Sequence, residues 1–181
     1  RRQAAAALGC KPAEIVFTSC GTESNNMALL GALAAHSKKR HLITTAVEHS
    51  AVLKVTKHLA SQGFEITYVP VNKDGVLDED FLLKSVRPDT CLVSVMWANN
   101  ETGAVFPVED LARKVKAKEP GVLFHTDAVQ AIGKIPIDLG NSPIDLLSLS
   151  GHKLHAPKGV GLLVIRRGTK IKPFLLGGTQ E

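Results

Sequence analysis

The run Thr90-Cys-Leu-Val-Ser-Val-Met-Trp97, followed by Pro107-Val-Glu-Asp-Leu-Ala-Arg-Lys-Val-Lys-Ala-Lys-Glu119 and then Val122-Leu-Phe-His-Thr126, decides the fold. The first run is apolar with little alternation, which is the pattern of a strand buried on both faces. The second opens with proline in its first turn and reads as a helix. The third is again a strand. Strand, helix and strand in that order form a βαβ unit, whose two strands lie parallel in one sheet.

The same alternation extends in both directions. Towards the amino end, Glu14–Ser19, His41–Val47 and Phe64–Val71 read as strands. Glu23–Ser37 carries Met27, Leu30, Leu33 and Ala34 at helical spacing. Ser50–Gln62 is a second helix, with Ser50 as N-cap and Gly63 as its stop. Asn72–Gly75 has turn chemistry, and Leu77–Val86 is a short helix closed by Arg87-Pro88. Towards the carboxyl end, Asp145–Leu149 and Gly159–Ile165 are further strands. The expected fold is therefore α/β, with a mostly parallel sheet covered on both faces. Its ligands should sit beyond the carboxyl ends of the strands.

Composition narrows the function. The 181 residues suit one domain; 44% are hydrophobic and 4% aromatic, so the core is mainly aliphatic. Lys and Arg number 22 against 17 Asp and Glu, for a net charge of +5. These cations are scattered and no aromatics interleave with them, which argues against a nucleic-acid partner. No apolar run approaches the ~18 residues of a membrane span. Cys10, Cys20 and Cys91 show neither a CxxC spacing nor a disulfide framework, which fits a reducing, cytoplasmic setting. The opening Arg1-Arg2-Gln3-Ala4 reads like the inside of a helix, and the closing Leu176–Glu181 has no stop character, so a fragment of a longer protein is expected.

Five polar clusters fall at strand ends. Thr18–Ser24 puts Gly21 and Thr22 at a helix start, where free N–H groups and a glycine allow a phosphate cradle; an ordinary N-cap by Thr22 or Ser24 fits equally. Cys20 stands beside that turn, where a helix N-terminus would favour its thiolate, although a small half-buried residue needs no such role. Glu48-His49-Ser50 offers an imidazole for stacking or proton transfer, or simply a cap. Asn99-Asn100-Glu-Thr-Gly103 has turn chemistry. Asp127, where a strand-like run gives way to a helix-like one, could cap a helix or bond to a ring nitrogen. Last comes Leu147-Ser-Leu-Ser150-Gly151-His152-Lys153. A lysine beside His152 and His155 at the end of a buried strand is expected to be buried too, which favours the neutral amine a Schiff base requires. His152 and His155 lack a nearby acidic or cysteine ligand, so no metal site is expected.

Taken in order, these clusters would grip a phosphate, hold a ring, keep its nitrogen protonated and bond to an aldehyde, as a pyridoxal-phosphate site must. Five segments carry a resemblance: TSCGTESNN (Thr18–Asn26), VEHSAVL (Val47–Leu53), VSVMWANNETG (Val93–Gly103), FHTDAVQAIGKIPID (Phe124–Asp138) and SLSGHKLHAPKGVG (Ser148–Gly161). With them the whole chain resembles the pyridoxal-phosphate-dependent cysteine desulfurases of the class V aminotransferase superfamily, most closely the nitrogen-fixation (NifS-like) type. The resemblance implies the three-layer large domain of fold type I pyridoxal-phosphate enzymes over residues 1–181, without the amino-terminal arm and the small carboxyl-terminal domain.

It also implies roles. Lys153 would bond to the cofactor, Asp127 would pair with the pyridine nitrogen, and His49 would stack on the ring and take part in proton transfer. Asn100 and Gln130 would contact the ring. Gly21, Thr22, Ser150 and His152 would hold the phosphate, with Gly151 giving room. The implied reaction takes sulfur from L-cysteine, leaves L-alanine, and passes the sulfur as a persulfide to an iron–sulfur scaffold. The implied assembly is a homodimer in which the partner completes the site, and the segment expected to reach the partner's phosphate site would come just after the closing GGTQE. The sulfur-accepting cysteine and the arginine for the substrate carboxylate are expected outside this chain, which alone would be inactive. Selenocysteine lyase, another class V aminotransferase-like enzyme, or a non-catalytic interaction module on the same fold are the alternative readings. The module would be marked by loss of Lys153 or Asp127, and both are present.

Overall fold

A computed structural model describes residues 1–177; residues 178–181 lie outside the described residues. The elements run α1 (Arg2–Leu8), β1 (Ile15–Thr18), α2 (Gly21–Ala35), β2 (His41–Thr45), α3 (Ser50–Ser61), β3 (Glu65–Val69), α4 (Glu79–Ser85), β4 (Thr90–Ser94), α5 (Val108–Lys118), β5 (Leu123–Asp127), β6 (Leu146–Ser150) and β7 (Gly161–Ile165). Short 3-10 turns occupy Pro12–Glu14 and Gly151–Leu154.

The seven strands form one sheet in the order β1-β7-β6-β5-β4-β2-β3. The pairs β3–β2, β2–β4, β4–β5 and β5–β6 are parallel, and β7 is antiparallel to both of its neighbours. Successive strand residues point to opposite faces, and the core divides on that period. Leu42, Leu92, Leu146 and Leu163 join Ala28, Leu29, Ala32 and Leu33 of α2 and Val52, Val55 and Leu59 of α3 in one cluster. Their successors Ile43, Val93, Leu147 and Val164 join Leu8 of α1, Leu82 of α4 and Leu111 and Val115 of α5 in the other. The result is three layers, α/β/α, and the buried-both-faces reading of the central strand holds: all five residues of β4 are buried.

The expectations differ from the structure at element ends. His49, not Ser50, caps α3: its Nδ1 accepts from the Ala51 N–H at 3.1 Å. Cys20, not Thr22 or Ser24, is the N-cap of α2. β2 and β4 stop at Thr45 and Ser94, short of the expected Val47 and Trp97, although single bonds run on past each end: Ala46 N–H donates to the Val69 carbonyl, and Val95 and Trp97 N–H donate to the His125 and Asp127 carbonyls. The residues after Asp127 form successive turns, with Ala131 and Ile132 N–H groups bonding to the Ala128 carbonyl, and no regular helix.

Gly161, at the start of β7, is the tightest point of the strand–helix packing. A Cβ there would stand 2.5 Å from the Cys20 carbonyl carbon and 2.5 Å from Thr18 Oγ1. No flexible side-chain end is available to yield on the Cys20 side. Gly161→Ala is therefore expected to lower the unfolding free energy of the intact protein by roughly 1–3 kcal/mol, measured by urea denaturation.

Candidate functional site

On the sheet face that meets α2, the strands change character along their length. Read at every second residue, β4 runs Leu92 to Ser94, β5 runs Leu123, His125, Asp127, and β6 runs Leu146, Ser148, Ser150. Leucines fill the amino ends and polar groups the carboxyl ends. His125 ties the three strands together: its Nδ1 bonds with Ser94 Oγ at 2.8 Å and its Nε2 with Ser148 Oγ at 2.9 Å. Burial drives the ring's pKa down to about 3, so it stays neutral and serves as a cross-brace.

Beyond this brace lies a cavity of about 380 Å³. Gly21, Thr22, His49, Asn100, Asp127, Gln130, Ser150, His152 and Lys153 all line it, so nine of the sequence-derived candidates converge from five separate strand ends. Gly151 does not line it; its Cα packs against the chain around Val160, whose carbonyl oxygen a Cβ would meet at 3.1 Å. Cys20, Asn25 and Met96 also contribute to the wall.

One wall is acidic. Asp127 is 5% exposed; its Oδ2 accepts from Asn25 Nδ2 at 2.7 Å and its Oδ1 from the Val129 N–H at 3.0 Å. Burial raises its pKa, against the pull of those two donors and of His49. Among the described residues no lysine or arginine forms an ion pair with it. Another part of the wall is electropositive. As the first turn of α2, Gly21 and Thr22 have N–H groups with no intrahelical partner. A Cβ on Gly21 would come within 2.9 Å of Val129 Cγ2, so only glycine lets this turn approach the Asp127 loop. Ser150 Oγ and His152 Nδ1, 2.8 Å apart, supply further polar contacts. A buried carboxylate lacking a cation and the N–H groups of a helix start together fit a ligand with a protonated ring nitrogen and an anionic group. Pyridoxal phosphate has both, and Lys153 on the same wall supplies an amine.

The amine is not buried as expected. Lys153 sits in the 3-10 turn after β6 and is exposed, as are His152 and Leu154. All five residues of β6 are buried, but the chain turns outward after Gly151. His155 closes the turn at φ 60°, the one non-glycine residue among those described with positive φ. Such left-handed residues concentrate at binding sites. His49 is exposed at the start of α3. Because its Nδ1 is an acceptor for the Ala51 N–H, a neutral ring carries its proton on Nε2. Asn100 is placed by its neighbour: Asn99 Oδ1 accepts from the N–H groups of Glu101 and Thr102, both at 2.9 Å, and so closes the loop.

Reading the sequence missed Asn25 and Glu48. Asn25 lies one turn into α2, where helix periodicity marks it as core without saying that it meets Asp127. Glu48 is 5% exposed, directly before His49, and burial followed by the Asp127 charge lifts its pKa to about 8 despite the Met96 N–H. The signal available was a charged residue directly after an apolar strand. For Cys20 the helix-start argument holds: the Glu23 N–H draws the thiol's pKa down, against partial burial, with help from Ser19 and Thr22. Burial instead raises that of Cys91, to about 11. Among the described residues no group of three His, Cys, Asp or Glu side chains could hold a metal ion.

Comparison with known proteins places this geometry. The aminotransferase class-V family matches residues 1–181. A cysteine desulfurase of Nostoc sp. is 56% identical over 181 residues, all of this chain and 45% of that protein. The cysteine desulfurase NifS of Azotobacter vinelandii is 56% identical over 168 residues, 93% of this chain and 41% of that protein. A solved NifS-like protein superposes with a TM-score of 0.96 at 49% identity, covering 99% of this chain and 49% of that one. The seven-stranded mixed sheet is thus that of the fold type I pyridoxal-phosphate enzymes, and the chain spans about half the length of the relatives it matches.

Two measurements test the electrostatics. The folded pKa of Glu48 lies above its ordinary 4.5, so its stabilising contribution is complete below pH 4.5 and is lost as pH rises through about 8. Stability of the intact protein should fall over that window by an increment that Glu48→Gln removes, read from urea unfolding at a series of pH values. Among the three thiols described, iodoacetamide should label Cys20 fastest and Cys91 slowest, followed by peptide mass spectrometry.

Proposed function

The chain belongs to the aminotransferase class-V family, and from that premise we propose that it is the cofactor-binding large domain, residues 1–181, of a cysteine desulfurase that uses pyridoxal phosphate. The observation that carries this reading is the convergence of Lys153, the buried Asp127 carboxyl and the α2 N-terminus on one cavity. The curated relatives named above are cysteine desulfurases, which supports L-cysteine as substrate and L-alanine as product.

In this reading Lys153 would hold the cofactor through its amine and, when that amine is free, would serve as a base at the substrate. Asp127, held by Asn25 and the Val129 N–H, keeps a proton on the pyridine nitrogen. Bound there, pyridoxal phosphate supplies an electron sink for cleavage at the substrate's α- and β-carbons. His49, which lines the cavity, would stack on the ring and take part in proton transfer. Gly21, Thr22, Ser150 and His152 hold the phosphate, with Gly151 letting the chain beneath pack closely. Asn100 and Gln130 fix the ring's edge.

We place the sulfur-accepting cysteine outside residues 1–181: Cys10 and Cys91 do not line the cavity, and Cys20 sits within the phosphate cradle. The persulfide formed there would pass to an iron–sulfur scaffold protein. The match to NifS favours, within that reading, a role linked to nitrogen fixation. A homodimer is part of the proposal. Leu154, next to Lys153, and Val160, which packs on Gly151, are each 44% exposed and offer apolar surface for a partner subunit. Three free thiols suit a cytoplasmic setting.

The test is direct. The intact protein is mixed with pyridoxal phosphate, reduced with borohydride and digested. Label confined to Lys153, with alanine formed from L-cysteine at a rate reduced at least about 1,000-fold by Lys153→Ala, is the expected result. Label spread over other lysines, or turnover that survives the substitution, overturns the reading. Residues 1–181 alone should release neither alanine nor sulfide.

A further inference from the structure

Glu48 is a carboxyl group almost wholly removed from solvent, one residue before His49 and outside the set lining the cavity. Its position is explained by what it joins. Oε1 accepts from the Met96 N–H at 2.8 Å and from the Thr45 hydroxyl at 2.9 Å. Thr45 ends β2, and Met96 lies two residues past the end of β4. The β2–β4 ladder has its last pair at Thr44 and Ser94. Beyond that pair, two side chains take over from the ladder. Glu48 ties the loop after β2 to Met96, and Asn99 Nδ2 donates to the Val47 carbonyl at 2.9 Å.

The loop so held carries His49. Among the described residues the imidazole is held by the Ala51 N–H on the same short segment, and it is otherwise exposed. Its placement over the cavity therefore depends on where the backbone of 46–49 is fixed. A carboxyl is a costly group to bury for that purpose. An apolar replacement, however, would leave the buried Met96 N–H unsatisfied and cut the loop from β4.

We propose that Glu48 is a positioning residue of the desulfurase site, acting through His49 by clamping the β2–α3 loop onto the chain that leaves β4. This rests on the reading in which His49 faces the cofactor ring. What the clamp needs is the reach of the side chain and an acceptor oxygen, not acidity. Gln has both, whereas Asp keeps the acid but falls one methylene short of Met96.

The test compares Glu48→Gln, Glu48→Asp, His49→Ala and the Glu48→Asp/His49→Ala double variant in the intact protein loaded with pyridoxal phosphate. The readouts are kcat for alanine formation from L-cysteine and the absorbance band of the bound cofactor. Glu48→Asp should lower kcat roughly 10-fold and shift the band, as expected for a displaced group. Glu48→Gln should stay within about 3-fold of the unmodified protein. In the His49→Ala background, Glu48→Asp should cost less than about 2-fold more, because the two residues act as one unit. Equal losses for Gln and Asp, or an unchanged 10-fold loss without His49, would overturn the proposal while leaving the desulfurase reading in place. If Glu48→Asp does not fold, Glu48→Gln decides alone: a 10-fold loss in it counts against the clamp. An unmodified protein with no turnover and no label on Lys153 overturns the functional reading, and this proposal with it.

Discussion

A carboxyl group at the buried end of β5 is the constraint around which the site is built. Asp127 is nearly inaccessible, and removing an ionised carboxylate from water is expensive unless charge or hydrogen bonds compensate. The protein supplies two neutral donors, the Asn25 amide and the Val129 N–H, and no lysine or arginine among the described residues. The compensation is therefore partial, and burial still raises the pKa. A site with that imbalance is prepared for a cationic N–H from outside the chain. A salt bridge within the protein would have removed the imbalance and, with it, the affinity for such a ligand.

The surrounding elements follow from keeping Asp127 at the floor of a cavity instead of in the core. α2 crosses the sheet so that its third turn onward packs Ala28, Leu29, Ala32 and Leu33 on leucines, while its first turn meets the polar strand ends. That approach is close enough to need glycine on both sides, Gly21 in the helix and Gly161 in β7. β7 is also the strand that reverses direction. Running antiparallel between β6 and β1, it brings the chain back beneath the α2 turn, so the first turn of that helix is backed by sheet.

Much of the architecture was legible in the sequence because it rests on periodicity. Leu92–Val93, Leu146–Leu147 and Leu163–Val164 are adjacent apolar pairs, and such pairs need a core on each side of the sheet. The candidate residues were legible as strand-end polar clusters, whose convergence follows from parallel strands sharing one carboxyl edge. What escaped depends on tertiary contact. Nothing local says that Asn25 meets Asp127, 102 positions away, or that Gly161 lies against Cys20. Exposure of Lys153 escaped for a related reason: the buried run ends at Ser150, and three residues of 3-10 turn suffice to carry a side chain out of the core. Ser50 looked like a cap because serine is favoured there in general; His49 took the position because its ring nitrogen reaches the Ala51 N–H.

Glu48 and Asp127 show how the site holds two acids close together. Burial raises the cost of ionising both, and the Asp127 charge adds to that cost for Glu48. Their surroundings separate them. The acceptor bonds from Met96 and Thr45 reach only one oxygen of Glu48, and its Oε2 has no partner among the described residues. Asp127 has a donor on each oxygen and opens onto the cavity. Ionisation is thus favoured at the carboxyl that faces a ligand and disfavoured at the one that braces a loop. Burial and the Asp127 charge push the Glu48 pKa up to about 8, so of the two acids Asp127 is the one that a ring nitrogen placed in the cavity would meet.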